Sequence, residues 1–205
     1  MPLAEQTLVK LRLRGQGVQA AITVIQDEAF RRSSFGLGAV ESRALLTTLY
    51  ALPVDVPVPR STLDHHTLRT LFTAPRGVVD LDAWEQGSVV RRLVPAVRVE
   101  LVLVHGPDGI SSGDWDAAVR DASQFAPFCS RGVVLSSPTP ERGSGPDMDL
   151  LLLKARFYGV GVVQYELSKP PRWLLEPAPH QPERHSAAQW LFHEQAWGQL
   201  GPDFL

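Results

Sequence analysis

The segment that decides the fold is V-R-V-E-L-V-L-V at 97–104, because two more apolar, strand-like runs follow it at regular intervals: G-V-V-L at 132–135 and V-G-V-V-Q-Y at 160–165. An amphipathic helix that begins near Asp114 is predicted between the first two runs, and a second helix is predicted over 149–158. Helices that alternate with short apolar strands are typical of a mainly parallel sheet covered by helices. The sequence therefore predicts an α/β fold, with a mixed central sheet flanked by helices and a β-α-β-α-β core.

An N-terminal β-hairpin is predicted ahead of this core. The residues T-L-V-K-L-R-L-R at 7–14 alternate between apolar and basic, which is the pattern of a half-exposed strand. The glycines at 15–17 can turn the chain into a second strand over 19–26.

The middle of the chain gives weaker signals. The stretch 31–39 is predicted to be a loop, and a helix is predicted over Val40–Leu52, where leucines recur at spacings of three and four. Further elements are a short helix from Ser61 that closes before Pro75, strand character at 77–84, and an ambiguous segment from Glu85 to Pro95.

The C-terminal end is predicted to be a proline-rich tail that leads into a helix. Proline cannot donate a backbone hydrogen bond within a central strand, so the tract at 169–184 is expected to wrap over a surface. The final helix is predicted from Ser186, with Gln189 at the offset of a capping box. We therefore predict one α/β domain over 1–168, with a hairpin extension at 1–36 and the core at 40–166, followed by a C-terminal helical tail over 169–205.

The composition is that of an ordinary globular protein, with 44% hydrophobic and 20% charged residues. A net charge of −2 gives no general attraction to nucleic acid, so any polyanion site must be a local basic patch. Cys129 is the only cysteine, which excludes an intramolecular disulfide. The N-terminus lacks the pattern of a secretory signal and no apolar run is long enough to span a bilayer, so we expect a cytoplasmic protein without membrane association.

The order of elements from Val40 to Gln164 resembles the PD-(D/E)XK superfamily of restriction-endonuclease-like proteins. Members have a helix with a glutamate, a strand with an aspartate, and a strand with glutamate-x-lysine, followed by a helix and a further strand. The resemblance assigns these roles to Glu41, to Asp80 and Asp82, and to Glu100. The pattern Y-G-V-G-V-V at 158–163 matches the end of the superfamily core.

This resemblance implies Mg²⁺-dependent hydrolysis of phosphodiester bonds. Asp80, Asp82 and Glu100 would hold the metal, which activates water and neutralises charge on the phosphate, and Glu41 would assist. The chain departs from the pattern at Val102, which stands where the superfamily has its lysine, and at Val79, which replaces the proline before the aspartate. A structural ion pair between Glu100 and an arginine such as Arg98 is the alternative interpretation of that glutamate.

Three hypotheses of function follow. The first is a non-catalytic version of the fold, a subunit or adaptor associated with nucleic-acid processing or defence, with a protein partner or a homo-oligomer. The second is an active nuclease that uses Mg²⁺, and the third is an unrelated α/β binding domain. Arg12 and Arg14, on one face of the first predicted strand, are candidates for phosphate contact, and the large aromatic residues Trp173, Trp190 and Trp197 are candidates for a partner surface.

Overall fold

The computed structural model describes residues 8–81, 87–106, 112–135, 148–166, 169–181 and 186–200. Its strands are β1 (Leu8–Leu13), β2 (Gln16–Val24), β3 (Pro57–Pro59), β4 (Val79–Asp80), β5 (Ser88–Arg91), β6 (Val97–His105), β7 (Ser130–Leu135), β8 (Gly161–Glu166) and β9 (Lys169–Leu175). Its α-helices are α1 (Gln26–Phe35), α2 (Arg43–Tyr50), α3 (His65–Phe72), α4 (Ser112–Ser123), α5 (Met148–Phe157) and α6 (Ala187–Trp197). The predicted α/β class, with a mixed sheet flanked by helices, is confirmed.

The chain divides into two compact units. Unit 1 contains Met1–Thr23 and Val99–Glu183, and unit 2 contains Val24–Arg98 and Arg184–Leu205. The predicted tail is therefore shared between them, because β9 lies in unit 1 and α6 lies in unit 2.

Unit 1 is built on a six-stranded sheet with the order β1-β2-β6-β7-β8-β9. The strands β6, β7 and β8 are parallel neighbours, in a register that aligns Leu103 with Gly132 and Gly132 with Gly161. The connecting helices contact each other, and the indole of Trp115 in α4 donates a 3.2 Å hydrogen bond to the carbonyl of Leu151 in α5. The β-α-β-α-β core is thus present as the sequence indicated.

The edges of this sheet are antiparallel. The predicted hairpin is confirmed as β1 and β2, which pair from Leu8 opposite Ala21 to Leu13 opposite Gln16. The start of the proline-rich tract, which is predicted to stay out of a central strand, forms the edge strand β9 against β8. Proline is tolerated there because β9 is an edge strand and one side of it needs no hydrogen-bond donors.

Two glycines allow the last segment of unit 1 to pack closely against its sheet. A Cβ built on Gly161 would lie 2.8 Å from both Trp173 Cζ3 and Pro177 Cδ, and one built on Gly132 would lie 3.4 Å from Trp173 Cζ3. The indole of Trp173 therefore covers the aligned glycines of β7 and β8.

Unit 2 combines a three-stranded antiparallel sheet, ordered β3-β5-β4, with four helices. Leucines of α2 pack in its core with Leu71 of α3, Val89 of β5 and Trp190 of α6. The interpretation of 31–39 as a loop is wrong over Arg31–Phe35, since these residues form the end of α1 and Gly36 terminates that helix with φ +61°. The predicted helix over Val40–Leu52 is shorter, and begins at Arg43 after the capping hydroxyl of Ser42.

A buried ion network stabilises unit 2. The carboxylate of Glu194, with 0% exposure, accepts hydrogen bonds from both terminal nitrogens of Arg32 at 2.6 and 2.7 Å, from the backbone N–H of Val40 at 2.9 Å and from Trp190 Nε1 at 3.0 Å. Arg32 Nε donates to Glu28 at 2.8 Å. Burial lowers the pKa of Arg32, but the hydrogen bonds to and charges of Glu194 and Glu28 outweigh it, and the pKa rises above its ordinary value.

A second buried arginine joins β5 to α2. Arg91 donates through Nη1 to the carbonyls of Leu49 and Leu52, both at 3.0 Å, and its guanidinium lies 4.4 Å from the ring centre of Trp190. The carbonyls at the end of a helix lack intrahelical partners, so Arg91 satisfies the C-terminal end of α2.

Candidate functional site

The predicted site residue Glu100 lies on β6 in unit 1, with its side chain exposed, whereas Val102 on the same strand has 0% exposure. Val102 is aligned with Arg131 of β7. A lysine at position 102 would therefore bring a buried ammonium, which costs free energy unless a carboxylate pairs with it.

The surroundings of Glu100 contain a histidine and an arginine. Burial and then the charge of Arg131 lower the pKa of His180, while a hydrogen bond to the backbone of Ala126 and the charge of Glu100 oppose that shift. Arg131 donates through Nη2 to the carbonyl of Tyr158 at 2.6 Å. The charges of Glu100 and Arg131 thus act on His180 with opposite sign.

The single thiol lies in the same region and is inert. Cys129 is buried, and burial raises its pKa to about 12, with the charge of Arg131 opposing and that of Glu100 adding to the shift. A thiol with such a pKa is protonated at neutral pH and is neither a nucleophile nor a metal ligand.

The predicted residue Asp80 lies in unit 2, on β4 of the three-stranded sheet. Its Oδ2 is 3.7 Å from Nη2 of Arg92, and Arg92 Nη1 donates to Asp55 Oδ1 at 2.9 Å. All three side chains are partly exposed, so this pairing is weak and open to solvent. Asp80 thus has a guanidinium as its neighbour.

Asp80 and Arg92 line an open cleft of about 700 Å³ in unit 2. Phe35 also lines the cleft, and its ring centre lies 5.9 Å from the guanidinium of Arg31 and 6.0 Å from that of Arg76. Arg31 is held in place by two bonds to Glu28, at 2.7 and 2.8 Å, and by one to the carbonyl of Gly77 at 2.6 Å. The cleft combines apolar lining with charged side chains of both signs: the acids Asp27, Glu28, Asp55 and Asp80, and the bases Arg31, Arg76 and Arg92.

The other two predicted acids are Glu41 and Asp82. The prediction that Glu41 lies on a helix is wrong by two positions, because α2 begins at Arg43. Glu41 lies beside the end of α6, since a Cβ built on Gly198 would be 3.6 Å from its Oε1. Asp82 lies outside the described residues.

Within the described ranges, no three or more His, Cys, Asp or Glu side chains come together as a metal site. Asp80 and Glu100 also belong to different sheets. The acids that the structure describes therefore do not fit a Mg²⁺ ion as the PD-(D/E)XK resemblance arranges them, and the metal site remains a prediction.

The candidate phosphate contacts lie at the edge of the six-stranded sheet. Arg12 is exposed on the edge strand β1, as is Lys10 two residues earlier. Arg14 adopts φ +52° in the hairpin turn, and its guanidinium lies 5.2 Å from the ring centre of Phe128. Cations on an edge strand also prevent edge-to-edge association, which is their structural explanation.

The three tryptophans predicted to face a partner have contacts inside their own units. Trp190 is buried and bonded to Glu194, Trp197 lies 5.9 Å from the guanidinium of Arg32, and Trp173 covers the glycines of β7 and β8. Trp173 and Trp197 remain half-exposed.

Comparison of the chain with protein-family models, with curated proteins and with solved structures gives no match. None of the helices that the structure describes has the length and apolar character needed to cross a membrane.

Sequence reasoning missed the cleft in unit 2 because its parts are far apart in the chain. Phe35 lies on α1, which has few apolar residues, and Arg76 and Asp55 lie in loops. Arg31 and Phe35 are four residues apart on α1, a local contact that the prediction of a loop over 31–39 concealed. The approach of Arg76 to the same ring depends on tertiary structure.

Proposed function

We propose that this protein is a non-catalytic subunit or adaptor, associated with nucleic-acid processing or defence and built on a core related to the PD-(D/E)XK superfamily. The observation that carries the proposal is the burial of Val102, with 0% exposure, at the position where an active member has lysine. The position of Asp80 supports it, because this carboxylate lies 3.7 Å from the guanidinium of Arg92 and Asp80 belongs to a different sheet from Glu100.

The adaptor role also agrees with the surface available for phosphate. Arg12 and Lys10 are exposed on β1, and Arg14 is exposed in the adjoining turn. Each cation that neutralises a phosphate releases counterions, so even this small patch gives weak, salt-dependent, sequence-independent binding. Such binding holds a protein on nucleic acid without catalysing a reaction there.

The first test is cleavage of plasmid, single-stranded DNA and RNA in the presence of Mg²⁺ or Mn²⁺. Wild type, Glu100→Ala, Asp80→Ala and Asp82→Ala are compared with Glu176→Ala, which removes an exposed carboxylate outside the candidate site. We expect no cleavage above a no-protein blank from any of them. Metal-dependent cleavage by wild type and Glu176→Ala that is absent in Glu100→Ala would overturn the proposal and establish the nuclease alternative.

The second test measures binding of a labelled single-stranded oligonucleotide by fluorescence anisotropy as salt is varied. We expect Arg12→Ala/Arg14→Ala to reduce the magnitude of the slope of log affinity against log salt by about 1.4, since two phosphates are then no longer neutralised and each contributes about 0.7 on a single strand. The matched control is Arg43→Ala/Arg69→Ala, which removes two exposed arginines from unit 2. Equal slopes for wild type and both variants would remove nucleic acid from the proposed function.

A further inference from the structure

Helix α5 presents an apolar stripe on the side that faces away from its own unit. Leu150, Leu153 and Phe157 are exposed to 50%, 63% and 83%. Leu151 and Ala155, on the opposite side of the helix, are buried at 1% and 0%. The helix is thus apolar on both sides, although one side already suffices to attach it to the sheet.

The residues of the stripe have the spacing found at the interface of two paired helices. Its three members are three and four residues apart, which are the a and d spacings of a heptad. Phe157 is further fixed by an edge-to-face contact with Tyr158, whose ring centre lies 5.2 Å away and whose plane is inclined by 88°. Exposed apolar stripes of this kind mark protein interaction sites.

The charges beside the stripe identify the partner. Asp149 lies in the first turn of α5 and Arg156 in the last, and both are exposed on the same flank of the stripe. When two copies of α5 pair antiparallel about a twofold axis, like flanks face each other and the first turn of one copy lies beside the last turn of the other. Asp149 of each copy then meets Arg156 of the other, which gives two symmetric opposite-charge contacts.

The charge on the other flank of the stripe does not disfavour antiparallel pairing. Lys154 is the cation on that side, and its ammonium is held by Asp116 of α4 at 3.0 and 3.2 Å. A parallel pairing would leave Arg156 without an acidic group opposite it, so the charge pattern selects the antiparallel orientation.

We infer that the exposed face of α5 binds the same face of a second copy of this chain, as an antiparallel helix pair with Leu153 at the twofold axis. The inference is independent of the proposed function, because the stripe contains none of the residues on which that function depends. A ten-residue helix is only about 15 Å long, so this interface is at the small end of specific interfaces and we expect a dissociation constant on the order of 10–100 µM.

The test is sedimentation velocity from about 5 to about 500 µM protein, which brackets the expected constant. Wild type is expected to shift from monomer to dimer over this range. Leu153→Glu places two carboxylates at the axis and should abolish the shift, while Phe30→Glu, which replaces an apolar side chain exposed to 77% on α1, should leave it unchanged. Far-UV circular dichroism verifies that both variants are folded.

The charge pattern is tested by reversal. Asp149→Arg and Arg156→Asp should each weaken dimerisation at least about tenfold, and the double variant should restore it, because the two charges are then merely exchanged. Covalent capture checks the geometry: Leu153→Cys should form a disulfide-linked dimer on mild oxidation, whereas Phe30→Cys should not, and Cys129 is buried and cannot contribute. A wild type that stays monomeric at the highest concentration, or a double variant as weak as the single ones, overturns the inference.

Discussion

Replacement of Glu194 by glutamine tests whether the buried ion network determines the stability of unit 2. The change preserves the shape of the side chain but exchanges one acceptor oxygen for an NH₂ group. All four groups around the carboxylate are donors: two nitrogens of Arg32, the N–H of Val40 and Trp190 Nε1. Whichever way the amide is turned, its NH₂ faces two donors and Arg32 loses its main counter-charge.

The expected cost follows from these hydrogen bonds. Each buried donor without an acceptor costs about 1–3 kcal/mol, and removal of one partner from a buried ion pair costs about 3–5 kcal/mol in total. Glu28 still pairs with Arg32 Nε at 2.8 Å and limits the loss. We therefore expect Glu194→Gln to lower the free energy of unfolding by about 4 kcal/mol.

The assay is urea denaturation, followed by tryptophan fluorescence and far-UV circular dichroism. With an m-value of about 1.5 kcal/mol per molar urea, the midpoint of the unit 2 transition should fall by roughly 2–3 M. Glu41→Gln makes the same chemical change at an exposed carboxylate of unit 2, and should change stability by less than about 0.5 kcal/mol. A loss below about 1 kcal/mol in Glu194→Gln would show that the network does not act as described.

Three further predictions concern unit 1. Cys129 should resist iodoacetamide at about pH 8 in the native protein and react promptly in urea, because a buried thiol with a pKa near 12 carries almost no thiolate; rapid native labelling would contradict this. The pKa of His180 in the folded protein, measured by NMR, should lie below 6.5. Because the unfolded chain then binds the proton more readily, the contribution of neutral His180 to stability is complete above pH 6.5 and is lost as the pH falls towards the folded-state pKa. A pKa at or above 6.5 would refute this prediction. Gly161→Ala should destabilise the protein by about 1–3 kcal/mol, because the added methyl group overlaps the rings of Trp173 and Pro177. Gly17→Ala should have no such effect, because the added Cβ meets nothing within 4 Å. Equal effects of the two substitutions would contradict the packing described.

The sequence predicts those elements best whose signals are local. Alternation of apolar and basic residues indicates β1, and the Ser186 hydroxyl that accepts from the N–H of Gln189 caps α6 as the spacing predicts. Consecutive buried residues in the core strands, at 101–104 of β6, 132–135 of β7 and 161–164 of β8, face both sides of the sheet and therefore appear as continuous apolar runs.

Elements whose signals depend on tertiary structure escape such prediction. Helix α1 buries Glu28 and Arg32 as an ion pair, so its inner face has no apolar period, and its C-terminal half has the pattern of a loop. Strand β9 contains two prolines that only an edge position tolerates, and the sequence alone does not reveal which strand is at the edge. The order of the candidate acids along the chain predicts a single cluster, but order does not determine which sheet a strand joins.

The hydrogen bonds between Arg32 and Glu194 span 162 positions of the chain, which has a consequence for biosynthesis. The sheet of unit 1 is complete once β9 has been made, whereas unit 2 lacks α6 until the ribosome has passed residue 197. Domains fold as units as they emerge, so unit 1 can fold on the nascent chain before Glu194 and Trp190 have been synthesised. Until then, Arg32 lacks its ion-pair partner Glu194, and the apolar face of α2 lacks the contact with Trp190. The first part of unit 2 therefore keeps part of its apolar surface exposed until α6 has been made, after the sheet of unit 1 is complete.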